Sequence, residues 1–187
     1  LRADLRVFTV GTGREEAKLS HQTPLDEPRR LAHHLADALY THFTREPGPF
    51  VSRIAFVKKN GQDREVWEAD WDGSNARAIV GDGINVLPSL VPGGGVAFTS
   101  YRSGKPDLYV QRPGARPVSL VRAGTMVTGI SYSPDGKRIA WAQSSGQGTQ
   151  IWTAAADGRG AKQITDTPYF INSSPSWSPD GKRIAFV

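Results

Sequence analysis

The sequence contains no cysteine, which excludes a disulfide framework and any thiolate-ligated zinc centre and leaves the redox compartment open. It contains no stretch of the roughly 18 apolar residues that a membrane-spanning helix needs. The first residues show neither Met nor a signal-peptide pattern, so a mature or trimmed soluble chain is expected. There is no run of five or six like charges. The net charge of +5 is spread over single residues and pairs such as Arg29-Arg30 and Lys58-Lys59, which reads as a solvated basic surface and argues against nucleic acid as a partner. With 38% hydrophobic and 22% charged residues in 187, the composition fits one globular domain or two small ones and names no function.

What is present is a repeat. Ser131-Tyr132-Ser133-Pro134-Asp135-Gly136-Lys137-Arg138-Ile139-Ala140-Trp141 returns as Ser176-Trp177-Ser178-Pro179-Asp180-Gly181-Lys182-Arg183-Ile184-Ala185-Phe186. A degenerate copy spans Ser89 to Phe98, and Arg53-Ile54-Ala55-Phe56 ends a still earlier one. Taking Ile54, Val96, Ile139 and Ile184 as equivalent, the steps are 42, 43 and 45 residues, the period of four-stranded propeller blades. A second apolar-aromatic strand follows at Val66-Trp67, Leu108-Tyr109 and Ile151-Trp152. Turns at Asp72-Gly73, Pro113-Gly114 and Asp157-Gly158 come next, then short strands over Ala78-Ile79-Val80, Val118 to Val121 and Gln163-Ile164-Thr165. The fold class expected is mostly β: an incomplete β-propeller of four-stranded, WD-repeat-like blades, with three blades and the start of a fourth over residues 51–187.

Asp135 and Asp180 could be mistaken for paired catalytic acids. Their recurrence once per period in Pro-Asp-Gly makes them turn residues, with Pro presetting φ, Asp bonding its own backbone and Gly taking the left-handed position. The aromatic residues inside strands read as packing between blades.

Residues 1–50 follow another pattern. Leu5 to Val10 and Glu16 to His21 predict two strands joined by a Gly11-Thr12-Gly13 turn, which lacks the following helix and Lys-Ser/Thr pair of a phosphate loop. A helix is predicted from about Asp26, as N-cap, to Arg45, ending before Pro47-Gly48. Its core stripe is Leu31, Leu35, Leu39 and Phe43. His33, His34 and His42 lack a His-Glu-x-x-His arrangement and are read as surface histidines. No catalytic, cofactor-binding or metal-binding residue is assigned.

Three segments together resemble the TolB family: Leu31 to Tyr40, Thr44-Arg45-Glu46-Pro47-Gly48-Pro49-Phe50, and Ser52 to Val57. The Ser-Pro-Asp-Gly-Lys copies and Ser103 to Val110 support the resemblance. It implies that residues 1–50 are the C-terminal part of a small N-terminal α/β domain and that the chain is a piece of a longer protein with a six-bladed propeller. It further implies a non-enzymatic periplasmic protein of the Tol-Pal envelope system, serving outer-membrane integrity and constriction during division. The partners implied are the peptidoglycan-associated lipoprotein Pal and TolA, the latter through an N-terminal segment outside this chain. Membrane insertion is not implied. The Pal surface of the family lies on the loops leading into the first strand of each blade, which carried over by motif gives Asn85, Val86, Leu87, Met126, Thr128, Gly129, Asn172, Ser173 and Ser174.

Two alternatives come from the same repeat class. One is the propeller of a serine peptidase whose α/β-hydrolase domain lies elsewhere; the nearest string to its Gly-x-Ser-x-Gly elbow, Gly129-Ile130-Ser131-Tyr132-Ser133, lacks the last glycine. The other is a sensor or carbohydrate-binding propeller that uses its central channel.

Overall fold

The computed structural model describes residues 1–187 and divides into two compact units, residues 1–54 with 69–75, and residues 55–68 with 76–187.

In the first unit β1 (Arg2–Phe8) and β2 (Glu15–Gln22) form an antiparallel hairpin. Its turn is closed by Gly13 N–H donating to the Thr9 carbonyl at 2.8 Å, with Gly13 at φ 64°. Helix α1 (Pro28–Thr44) packs against this hairpin. Its N-cap is Glu27 rather than Asp26, and no side chain caps it; the Glu27 carboxylate pairs with Arg30 at 2.9 Å instead. Proline in the first turn sets φ and needs no capped N–H, so the missing cap is tolerated. The helix stops at Arg45, left-handed at φ 64°. Of the expected stripe, Leu31 is buried and Leu35 and Leu39 are half-buried, but Phe43 is 58% exposed, because a two-stranded hairpin is too narrow to cover the last helical turn. Chain reversal after α1 depends on Gly48: a β-carbon there would fall on Asp37, whose carboxylate accepts the Phe50 N–H at 3.1 Å.

His33 and His34 are not the free surface histidines expected. The His34 ring stacks on His21 of β2 with centroids 4.0 Å apart, and His33 Nε2 lies 3.2 Å from an Asp72 carboxylate oxygen. Asp72 also accepts from Arg29 Nε at 3.0 Å and from the Ser74 hydroxyl at 2.6 Å. The Ser74 donors, then Arg29, hold its carboxyl far below the usual carboxylate range. Burial, then the neighbouring His21 and Arg30, push the His34 imidazole down, against a weaker upward pull from Asp37. A lowered folded-state carboxyl stabilises above the unfolded value and loses that as pH falls. A lowered imidazole refuses in the folded state a proton that the unfolded chain takes below about 6.5. Both make the unit less stable in acid. A pH series of melts should show the unit weakening from about pH 6.5 downward, and His34→Leu should abolish that first part of the loss while leaving the later loss in the carboxylate range.

The second unit holds the blades. The first sheet orders β3 (Arg53–Asn60), β4 (Asp63–Asp70) and β5 (Arg77–Val80). The next is β6 (Asn85–Leu90), β7 (Val96–Ser100), β8 (Asp107–Gln111) and β9 (Val118–Val121), followed by β10 (Val127–Tyr132), β11 (Arg138–Ser144), β12 (Thr149–Ala155) and β13 (Lys162–Gln163). A pair of β14 (Ser176–Trp177) and β15 (Ile184–Ala185) begins one more. Every sheet is an antiparallel meander in chain order, as propeller blades are. The last strand of the third blade is shorter than the predicted Gln163 to Thr165 because a side chain replaces the ladder: Thr165 Oγ1 accepts the Ile151 N–H at 2.8 Å.

The two faces of a blade pack against different neighbours, as the period of two along a strand requires. Phe98 and Tyr109 turn toward Val66 and Val80 of the first blade. Ala97 and Leu108, one residue out of phase, turn toward Val127, Ile139 and Trp141 of the third. A cross-strand aromatic pair recurs at the same register in each blade: Phe56 with Trp67, Phe98 with Tyr109, and Trp141 with Trp152, with centroids 6.4, 6.1 and 6.4 Å apart. The β7 run Val96–Ser100 is buried throughout: Val96, Ala97 and Phe98 supply apolar surface, and the Ser100 hydroxyl is satisfied by Asn85.

Candidate functional site

The Pro-Asp-Gly turns are structural to the last hydrogen bond. Asp135 accepts the Ser133 hydroxyl at 2.6 Å and the Lys137 N–H at 3.1 Å, and Asp180 accepts the Ser178 hydroxyl at 2.5 Å and the Lys182 N–H at 3.0 Å. These donors hold both carboxyls below their usual range, as acceptors in a turn and not as proton-transfer groups. Ser131 lies within β10, paired with Ala140, and not on the strand-to-helix turn that a nucleophile elbow needs.

The segments expected to lead into the first strand of each blade share one geometry, though in the second and third blades most of them already lie within that strand, in β6 and β10, and not on a loop before it. Leu87, Gly129 and Ser174 occupy equivalent positions, and all three are left-handed, at φ 53°, 65° and 52°. The register of β6 against β7 shifts between Val86 and Ser89, and that of β10 against β11 between Thr128 and Ser131. These two first strands therefore carry a bulge that re-aims the chain. One blade uses glycine for this conformation; the other two carry a side chain at a strained backbone position.

Two residues expected on this surface face inward. Asn85 is fully buried, with Nδ2 surrounded by the carbonyls of Asp82 (3.0 Å), Gly81 (3.1 Å), Arg64 (3.2 Å) and Gly83 (3.4 Å), while Oδ1 accepts the Ser100 hydroxyl at 2.7 Å. Asn172 is its counterpart: Nδ2 donates to Thr167 Oγ1 at 2.7 Å, the Thr149 carbonyl at 3.0 Å and Gln150 Oε1 at 3.1 Å. Arg64 and Thr149 are equivalent in their blades, and each is bridged in parallel to the residue before the asparagine, Ile84 or Ile171. The asparagines latch each leading loop to the preceding blade and are not presented to a partner. Blade three has Val127 at that place, held by its own N–H to the Pro106 carbonyl at 3.3 Å. The sequence does carry the signal: Asn85-Val86-Leu87-Pro88 and Asn172-Ser173-Ser174-Pro175 are both Asn-x-x-Pro.

What this end does present is apolar. Ile84, Leu87 and Met126 are 46%, 51% and 48% exposed, and Tyr169, Phe170 and Ile171 are more so. Val86, Thr128, Gly129 and Ser173 are half-buried and Ser174 is exposed. Exposed apolar side chains held on constrained backbone are the ingredients of a protein-docking surface.

Consecutive four-stranded meanders with inter-blade aromatic cores and bulged leading strands define the chain as part of a β-propeller. The family model for the TolB beta propeller domain matches residues 40–187, and the chain belongs to that family. It is 57% identical over 177 residues to the Tol-Pal system protein TolB of Myxococcus xanthus, covering 94% of this chain and 41% of that protein. It is 39% identical over 179 residues to the protein of the same name from Anaeromyxobacter dehalogenans, covering 95% and 41%. The chain thus spans about two fifths of the length of these relatives, in keeping with the expected fragment. Among solved structures, TolB from Acinetobacter baumannii superimposes with a TM-score of 0.83 at 22% identity, over 98% of this chain and 47% of that one. A puromycin-hydrolyzing peptidase of Mycobacterium tuberculosis matches 72% of this chain and 26% of its own with a TM-score of 0.52 at 16% identity, a likeness of fold alone.

Proposed function

We propose that this protein is a non-enzymatic component of the Tol-Pal envelope system, working in the periplasm as a protein-binding propeller. The leading-loop end docks a Pal-type peptidoglycan-associated lipoprotein, and TolA is reached through a segment outside this chain. In this role the protein supports outer-membrane integrity and constriction during division. The identity to proteins named for that system supports the assignment. The observation that carries the docking end is Leu87: a non-glycine residue held left-handed at φ 53° with half its side chain in solvent. That backbone conformation costs stability while half the side chain stays in solvent, which points to use by a partner.

The test exploits that conflict. In the full-length protein Leu87→Gly should stabilise the fold by about 0.5–1 kcal/mol, because glycine takes the left-handed region without the β-carbon penalty. The same change should weaken binding of the soluble domain of a Pal-type lipoprotein about tenfold in calorimetry. Charged replacements of Ser173 and Ser174 should weaken it as well. A Leu87→Gly protein that binds as tightly as the original removes Leu87 from the interface, and failure of the unaltered protein to bind removes the functional assignment.

A further inference from the structure

The opposite end of the propeller has the reverse chemistry. The blade unit holds fifteen Lys and Arg against nine Asp and Glu, while the first unit holds eight against nine, so the basic excess of the chain belongs to the blades. From the second blade to the fourth the turns at this end lie against one another, whereas the corresponding turn of the first blade, at Asp72, is engaged by Arg29 and His33 of α1. A β-carbon on Gly136 would stand 3.2 Å from Pro92, one on Gly181 would stand 3.6 Å from Pro134, and one on Gly94 would stand 3.4 Å from Pro113. The Ala156 N–H donates to the Lys137 carbonyl at 2.9 Å, which ties the two sets of turns together in the third blade.

Arg112, Arg116, Lys137, Arg159, Lys182 and Arg183 all stand exposed on these turns. Arg112 is fixed by a bond to the Gly94 carbonyl at 3.2 Å. The one ion pair formed among the six is Arg159 with Asp157 at 3.5 Å. Arg138 adds its charge from beneath, lying 4.3 Å over the Trp177 ring of the next blade and donating to the Gly181 carbonyl. The acids on this surface, Asp135, Asp157 and Asp180, do not balance these cations, and all three are engaged in their turns.

We propose that this end of the propeller rests on an anionic phospholipid surface through its turn cations. The partner class follows from what the end lacks. Protein interfaces are anchored by buried apolar and aromatic side chains, and the exposed apolar residues of the blade turns and loops crowd the leading-loop end; Val118 is the large one beside these turns. A cationic surface poor in apolar anchors suits headgroup phosphates, which guanidinium groups bind in forked fashion, and each such cation adds to the attraction near an anionic bilayer. This docking is peripheral and requires no inserted segment, in accord with the absence of any helix long and apolar enough to cross a membrane.

The test is co-sedimentation of the full-length protein with vesicles of phosphatidylglycerol in phosphatidylcholine and with vesicles of phosphatidylcholine alone, at low and high ionic strength. Binding is expected to the anionic vesicles, to disappear at high ionic strength, and to be absent from the neutral ones. The triple variant Arg116→Glu, Lys137→Glu, Lys182→Glu should lower partitioning at least about a hundredfold, and the neutralising variant with Gln at the same positions should show a smaller loss at unchanged melting temperature. Leu87→Gly should leave vesicle binding unaltered, which separates this surface from the docking end. Equal binding to neutral vesicles, full binding by the triple variant, or binding to soluble polyglutamate without binding to vesicles would each overturn the proposal, the last by making the partner an acidic protein.

Discussion

Trp141→Ala should cost the propeller about 3–5 kcal/mol, the upper range for truncating a buried aromatic residue. Trp141 is the largest fully buried side chain of the structure. It fills the space between the second and third blades beside Val127, Ile139 and Leu108, stacks on Trp152 at 6.4 Å, and its indole N–H donates to Gln143 Oε1 at 3.0 Å. Truncation leaves a cavity between two sheets whose central strands, β7 with β8 and β11 with β12, pair without a register break, so neither collapses into it. Trp152→Ala, at the partner position but partly exposed, should cost less. Thermal melting of both variants checks the order. A loss for Trp141→Ala below about 1 kcal/mol would mean that the blades are not held by this core, since truncations in packed cores rarely cost so little.

Most of the blade architecture was legible because three independent signals coincide in it: the period of 42 to 45 residues, the alternation within strands, and turn residues whose backbone requirements are local. The shortened β13 was not legible, since Thr165 looks like a strand residue and leaves the ladder only because Ile151 meets its hydroxyl. The helix start was misplaced by one residue for a similar reason: Asp26 has the better capping side chain, yet the backbone turn places Glu27 at the cap. In the segments that open the first strands the sequence misjudged the asparagine side chains. Asparagine between two blades reads as a loop residue facing water, and only the packing of one blade against the next turns Asn85 and Asn172 inward. The exposed residues beside them, Ile84 and Ile171, read as strand-forming and so drew no attention. His33 and His34 escaped the same way, because their partners Asp72 and His21 lie far off in sequence and are brought to the helix by tertiary structure.

Asn85→Ala should cost about 2–3 kcal/mol, with the Asp substitution costing more. Alanine leaves the buried Ser100 hydroxyl without its acceptor and takes from the carbonyls of Arg64, Gly81, Asp82 and Gly83 their shared donor. The penalty is that of unsatisfied buried groups and exceeds the worth of the bonds themselves. Aspartate keeps the shape but replaces the donating Nδ2 with a second acceptor, so its charge would face four carbonyl oxygens. Protonation relieves that repulsion: the deficit of Asn85→Asp relative to Asn85→Ala should shrink on acidification, a sign opposite to the acid sensitivity of the first unit. Denaturant unfolding at two pH values measures both effects. Hydrogen exchange should quicken over residues 81–88 while the loop at 170–174, with its own latch at Asn172, stays protected. Affinity for the proposed lipoprotein partner should fall too, although no exposed side chain has been changed. That fall should be non-additive with Leu87→Gly, because a latch that positions Leu87 has nothing further to contribute once the side chain is gone.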